Sequence, residues 1–187
     1  VVGFWASNFL YASFMGITLI VPLFIENIWG GTALEAGLVL LPGTIAALFI
    51  NPLAGYLTDR FHARPIIVFF GACLALGSVA MAFMDASTPF WLILLLQGIR
   101  ACGVSGLVSP LTSWSMEELA PNRMTDASSF STAVRQAVAS MGTALMVFSI
   151  TLGTQAFGSL LFGFQLALGL SGVFALALFV IALVRVR

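Results

Sequence analysis

Four residue types in this chain carry chemistry worth weighing: a serine framed by glycines, two cysteines, one histidine, and arginines set among apolar residues. Gly103-Val-Ser105-Gly106 has the GxSG form of a serine nucleophile. Such a serine needs an imidazole base delivered from a later segment. The one histidine, His62, precedes Ser105, and nothing after it can take the proton. Serine proteolysis is therefore excluded, and we expect no enzyme. Cys73 and Cys102 show neither zinc-ligand spacing nor a reason to pair, so they read as small apolar residues; no metal or cofactor is expected. That leaves Arg100 and Arg135. What an arginine does depends on its solvent, and the elements that carry these two decide that.

Both lie inside long apolar stretches. Six of these fill the chain: Phe4–Ile25, Ala36–Leu57, Pro65–Met84, Pro89–Trp114, Ala127–Leu152 and Ser159–Val184. A helix rises about 1.5 Å per residue, so ~20 residues match a ~30 Å hydrocarbon core. Runs this long and continuous mean helices rather than barrel strands, because each backbone must close its own hydrogen bonds. Composition agrees. The chain is 60% hydrophobic and 7% charged, against roughly 25% charged in soluble domains. A soluble bundle of this composition would have no polar face to turn to water. Net charge is zero and there is no basic tract, which removes nucleic acid as a partner and leaves the lipid bilayer.

Every basic residue is an arginine. Arg60 and Arg64 lie between spans two and three, Arg123 between four and five, and Arg185 and Arg187 after span six. The other links, Glu26–Glu35, Asp85–Thr88 and Gly153–Gly158, hold no basic residue. By the positive-inside rule the arginine-bearing links, and both ends of the six-span unit, face the cytoplasm. Val1 begins almost inside the first span, without an initiating Met or a basic lead. The expectation is a piece of a longer protein.

On this topology Arg100 lies ~16 Å from the outer surface and Arg135 ~12 Å from the cytoplasmic one. An arginine at such depth costs from ~3 to over ~10 kcal/mol unless it meets water, a carbonyl or an anion. No acidic residue lies deep in any span. The partner of each arginine is a backbone carbonyl, water, a substrate, or an acid elsewhere in the longer protein. In span four, Gly98, Cys102 and Gly106 form a small-residue stripe for close helix contact, with Gln97 and Arg100 expected on the opposite side. In span five, Ser128, Ser131, Arg135, Ala139 and Gly142 make a small, polar stripe that would not face lipid. Span one gathers Asn8, Tyr11, Met15, Thr18 and Pro22 in one quadrant, either bonded to neighbouring helices or lining a polar cavity. Thr32-x-x-Glu35 has capping-box spacing at the start of span two, and Pro42, Gly43, Asn51 and Pro52 make that span bendable. Spans three and six are almost wholly apolar and suit the lipid-facing periphery.

The link after span two reads Gly55-Tyr-Leu57-Thr-Asp59-Arg60-Phe-His62-Ala-Arg64-Pro65. It resembles the G-x-L-x-D-R-x-G-R-R/K signature of the major facilitator superfamily, with Gly55, Leu57, Asp59, Arg60 and Arg64 in place. His62 stands where the family has Gly, and Ala63 where it has a basic residue, departures that suit the second-half copy of the signature. Leu41-Pro42-Gly43, Gln97-Gly98-x-Arg100-x-x-Gly103 and Val134-Arg135-Gln136-x-x-x-Ser140-x-Gly142-Thr143-Ala144 resemble the C-terminal half of the fourteen-span drug:proton antiporters.

The fold this resemblance implies is all-α and integral to the membrane: six transmembrane helices as two three-helix inverted repeats, 1–84 and 89–187, forming half of a major facilitator bundle whose N-terminal half is missing here. The implied function is proton-coupled efflux of hydrophobic or cationic drugs by alternating access across a bacterial inner membrane. The partners implied are the bilayer, a small-molecule substrate, protons and the missing half. Helices one and four would line the path, which makes Asn8, Tyr11, Gln97 and Arg100 the substrate-path candidates. Helices two and five would pack on the other half, with Arg135, Gln136 and Ser131 at that contact. Gly55, Asp59, Arg60 and Arg64 would form the cytoplasmic latch, where Asp59 meets the positive end of a helix. Transport of an anionic metabolite, which buried arginines without acids favour, is one alternative; a non-transporting six-span scaffold is another.

Overall fold

Each apolar stretch is helical over a length able to cross a membrane, and a proline interrupts one of them. The computed structural model describes residues 2–60, 63–116 and 124–185. His62, Arg123 and Arg187, and the side chains of Asp59 and Arg185, lie outside the described residues. Helix α1 (Val2–Phe24) contains Pro22 and runs on into a π-helical turn, Ile25–Trp29. That wider turn stops at Gly30, whose φ of 76° is a left-handed value costly for any residue with a Cβ.

Span two is two helices rather than one. The first, α2 (Ala33–Leu38), begins with a complete capping box: the Thr32 hydroxyl accepts from the Glu35 N–H, and the Glu35 carboxylate accepts from the Thr32 N–H at 2.8 Å. Pro42 has no N–H to give the Leu38 carbonyl, so the helix breaks at Val39–Leu40 and restarts as α3 (Leu41–Arg60). Then come α4 (Ala63–Met81), α5 (Phe90–Met116), α6 (Met124–Phe157) and α7 (Leu160–Arg185). Among the described residues, six spans are long and apolar enough to cross a bilayer, and there is no strand.

Most helix contacts come in matching pairs. Span two packs on four as five packs on one; three packs on four as six packs on one; one meets four, and three meets six; but five lies broadly along six, whereas two barely meets three. Glycines set the closest approaches. A Cβ built on Gly103 of α5 would stand 2.5 Å from the backbone N of Leu74 in α4, and one on Gly77 of α4 would stand 3.0 Å from the Cα of Arg100. Gly106 faces the Phe70 ring of α4, and Gly142 of α6 faces Ala12 of α1. The glycines of span four are thus divided between partners, because Gly98 faces Pro42 of α3 instead. This corrects the expectation of one packing stripe with Arg100 opposite it: the backbone of Arg100 is itself pressed against α4.

Two apolar clusters fill the interior. One holds Leu10, Phe70, Leu74, Leu107 and Leu178, the other Ile17, Phe24, Met81, Ile93 and Phe164. Between them lies a buried polar layer with one residue from each of four helices: Ser13 (α1), Ser78 (α4), Arg100 (α5) and Ser171 (α7), none with any exposed surface. Spans three and six therefore turn their few polar side chains inward. Spans two and five are the least covered: 17% and 22% of their most apolar 18 residues are buried, against 39–56% in the other four.

Candidate functional site

Three helices leave a cleft of about 320 Å³ between them. From α1 it takes Tyr11, Phe14 and Thr18, which share a face at helical spacing. The α3 wall presents Gly43, Thr44, Ala47 and Asn51, and the α5 wall Gln97, Ala101, Val104 and Val108 beside Arg100. Most of this surface is aliphatic or aromatic. Two of its hydroxyls are already committed: Thr18 donates to the Phe14 carbonyl at 2.9 Å and Thr44 to the Leu40 carbonyl at 3.1 Å, each within its own stretch of helix. Gln97 is 4% exposed, and its Oε1 accepts no hydrogen bond among the described residues.

Arg100 borders the cleft without opening into it. No part of it is exposed; one guanidinium nitrogen donates to the Ser13 carbonyl at 3.1 Å, and Nε has no partner among the described residues. The Ser13 hydroxyl lies 2.8 Å from that of Ser171, so the arginine ties α5 to α1, and Ser13 ties α1 to α7. Gln97, Arg100 and Tyr11 are brought together at one cleft. Asn8 is not. It is 2% exposed, does not line the cleft, and neither of its amide atoms finds a partner among the described residues. It occupies the same row of α1 as Phe4, Ala12 and Gly16, a row that meets Phe130, Gly142 and Met146 of α6.

Arg135 has a different setting. It is half-buried, donates to Thr132 at 3.1 Å on its own helix and to Thr112 of α5 at 3.5 Å, and lies 5.0 Å over the ring of Tyr11. Gln136 is exposed and lines an open groove between α1 and α6, while Ser131 is buried with a hydroxyl that finds no partner among the described residues. In the signature link, a Cβ on Gly55 would lie 3.6 Å from the Ser109 hydroxyl of α5. Arg60 donates to the Tyr56 hydroxyl at 2.9 Å, and Arg64 is exposed at the start of α4.

Sequence reasoning missed Ser13, whose backbone oxygen is the arginine's partner and carries no signature. It also read Asn51 and Gly43 only as bend formers, although their spacing from Ala47 puts all three on one face of α3. Cys73 and Cys102 are free thiols, and among the described residues no cluster of metal-ligating side chains exists.

Comparison with known proteins agrees with this architecture. The family model for the Major Facilitator Superfamily matches residues 1–143. The MFS-type transporter YhcA of Bacillus subtilis is 33% identical over 72% of this chain and 25% of its own length. The methylenomycin A resistance protein of Streptomyces coelicolor is 31% identical over 77% of the chain and 31% of its own length. For the lincomycin resistance protein LmrB of Listeria innocua the figures are 26%, 79% and 32%. The chain thus spans a quarter to a third of these relatives. With a family match running from the first span through most of the fifth, and the six-helix bundle to go with it, this chain belongs to the major facilitator superfamily.

Proposed function

We propose that the chain forms one half of a secondary transporter that exports hydrophobic compounds from a bacterial cytoplasm in exchange for protons. The observation that carries the reading is the cleft: a mostly apolar space between α1, α3 and α5, with the buried amide of Gln97 in its wall. Relatives named for resistance to methylenomycin A and lincomycin support a drug-like cargo. The paired helix contacts support two three-helix repeats, 1–84 and 89–187, related by an axis in the membrane plane. On this reading the open faces of α3 and α6 meet a homologous half, with Ser131, Arg135 and Gln136 near that contact and Asp59, Arg60 and Arg64 at its cytoplasmic edge. The proton-carrying acid belongs to that other half, since no carboxylate lies deep in these spans.

Inside-out vesicles carrying the full-length transporter test the proposal. A hydrophobic fluorescent dye should accumulate on energisation, and a protonophore should abolish the uptake. Ala47→Trp, which fills the cleft from the loosely covered α3, should cut uptake at unchanged protein amount. Undiminished uptake in that variant would remove the cleft from the path, and uptake indifferent to the protonophore would remove the coupling ion. Orientation has its own test. Single cysteines at His62 and Asp85, in a background lacking Cys73 and Cys102, should label from opposite sides of intact cells; outside labelling of both refutes it.

A further inference from the structure

The cleft is electrically one-sided. All seven acidic residues of the chain fall in the links or in the first or last turn of a span, so none reaches the level of Gln97 and Arg100. Among the described residues that line the cleft, Arg100 alone carries a charge. With no exposed surface of its own it is screened less than a solvated charge would be, and its field reaches the adjoining cleft. A lipophilic cation entering here meets repulsion that no carboxylate of this chain offsets. An anion, or a neutral molecule with its negative end inward, is favoured.

Gln97 adds a second criterion. A side chain 4% exposed, bordering an apolar space, with Oε1 accepting nothing among the described residues, is a polar group left for something else to satisfy. The partner it lacks is an N–H or O–H donor. Tyr11, half-buried on the opposite wall, supplies an aromatic face against which a flat apolar body packs.

We propose that the cleft selects predominantly apolar ligands that are neutral or anionic and that present a hydrogen-bond donor to Gln97, and that it discriminates against lipophilic cations. This rests on the reading of the cleft as part of the transport path, and it narrows that reading by charge. Arg100 acts here as an electrostatic element of the wall, not as a contact residue.

Tetraphenylborate and tetraphenylphosphonium have nearly the same size and shape and opposite charge, so their binding to the purified full-length transporter isolates the sign. The anion should bind at least about tenfold more tightly. Gln97→Glu, which places a carboxylate at the cleft at almost no change of volume, should shrink that ratio by about tenfold or reverse it. This outcome is a gain of cation binding, which a misfolded variant cannot mimic. Gln97→Leu should leave the ion ratio in place while abolishing the preference for 1-naphthol over 1-methoxynaphthalene, a pair that differs in one donor. Equal binding of the two ions, a preference for the cation, binding of neither, or a ratio that Gln97→Glu does not move overturns the proposal. If the ratio behaves as expected but Ala47→Trp leaves transport intact, the ligand class stands and the transport-path reading falls.

Discussion

Helix α5 has two very different sides. Against α4 it is sealed at backbone distance: Gly103 over Leu74, Gly106 over the Phe70 ring, and Gly77 under the backbone of Arg100. Against α3 it is looser. Gly98 and Gly55 leave ordinary van der Waals gaps of 3.5 and 3.6 Å to their neighbours, and only Gly43 is tight, at 2.7 Å from the Ala101 Cβ. The cleft opens along this second side. One helix thus serves as part of a fixed block with α4, α1 and α7, and as one wall of a space whose other wall, α3, is lightly held. The difference shows how a bundle with no hydrophobic driving force between helices grades its rigidity, through how close backbones come and whether polar bonds cross the gap.

The sharpest way to break this comparison is one methyl group on each side. Gly103→Ala would set a Cβ 2.5 Å from the Leu74 nitrogen, and backbone cannot turn aside, so α4 and α5 must separate. We expect a loss of about 2–3 kcal/mol and a clearly lower melting temperature in detergent. Gly98→Ala adds the same methyl 3.5 Å from the Pro42 Cβ, an ordinary contact, and should change stability by less than about 1 kcal/mol. Equal losses from the two would mean that α5 has no privileged side.

The two buried-depth arginines give the next test. Arg100 joins helices through the Ser13 carbonyl in a layer with no exposed surface, whereas Arg135 is half-buried and shares its donors between its own helix and one long bond to α5. Arg100→Gln shortens the side chain and takes its donor from Ser13, and should cost about 1–3 kcal/mol. Arg135→Ala loses a cation–π contact and weak polar bonds, and should cost no more than about 1 kcal/mol. That order runs against the expectation drawn from the sequence, in which Arg135 packed at the contact with the other half and Arg100 faced the cargo. Thermal melting of both variants decides between them: an Arg135→Ala loss larger than that of Arg100→Gln would return the structural role to Arg135.

Much of the fold was legible because its cause is local. Hydropathy marked all six spans, and Thr32 and Glu35 announced a capping box that forms; Pro42, Gly43, Asn51 and Pro52 announced a bendable span two, without saying that it would break, or where. The site was legible only in part. Gln97 and Tyr11 declared themselves as polar residues in apolar company. The side of α5 on which Arg100 packs did not, because glycines on several faces leave the pairing to tertiary geometry. Its partner did not either, since any carbonyl along α1 could have served. The π-helical turn at Ile25–Trp29 was equally silent. It depends on where the end of α1 docks, and there the Trp29 indole donates to the Thr88 carbonyl at 3.0 Å.

That contact leads to the smallest effect, at the end of the sealed seam where α4 passes into α5. The link Asp85–Thr88 joins α4 to α5, and the Asp85 carboxylate organises it, accepting from the Ser87 N–H at 2.9 Å, the Ser87 hydroxyl at 2.6 Å and the Thr88 hydroxyl at 3.2 Å. These bonds, led by the Ser87 hydroxyl, favour the ionised form and hold its pKa below the ordinary 3.8. A depressed carboxylate contributes stability above its unfolded pKa and loses it as pH falls through the folded one. Wild type should therefore melt slightly above Asp85→Asn at pH 6, and the gap should close as pH drops below 3.8. The shift should be small, because the group is fully exposed and solvent screens it. Gln165 also grips the link, donating to the Met84 carbonyl at 3.0 Å, so it does not rest on the carboxylate alone. A gap that persists unchanged at pH 3 would show that the closed end of the seam depends on shape and the Trp29 and Gln165 bonds, with the charge of Asp85 playing no part.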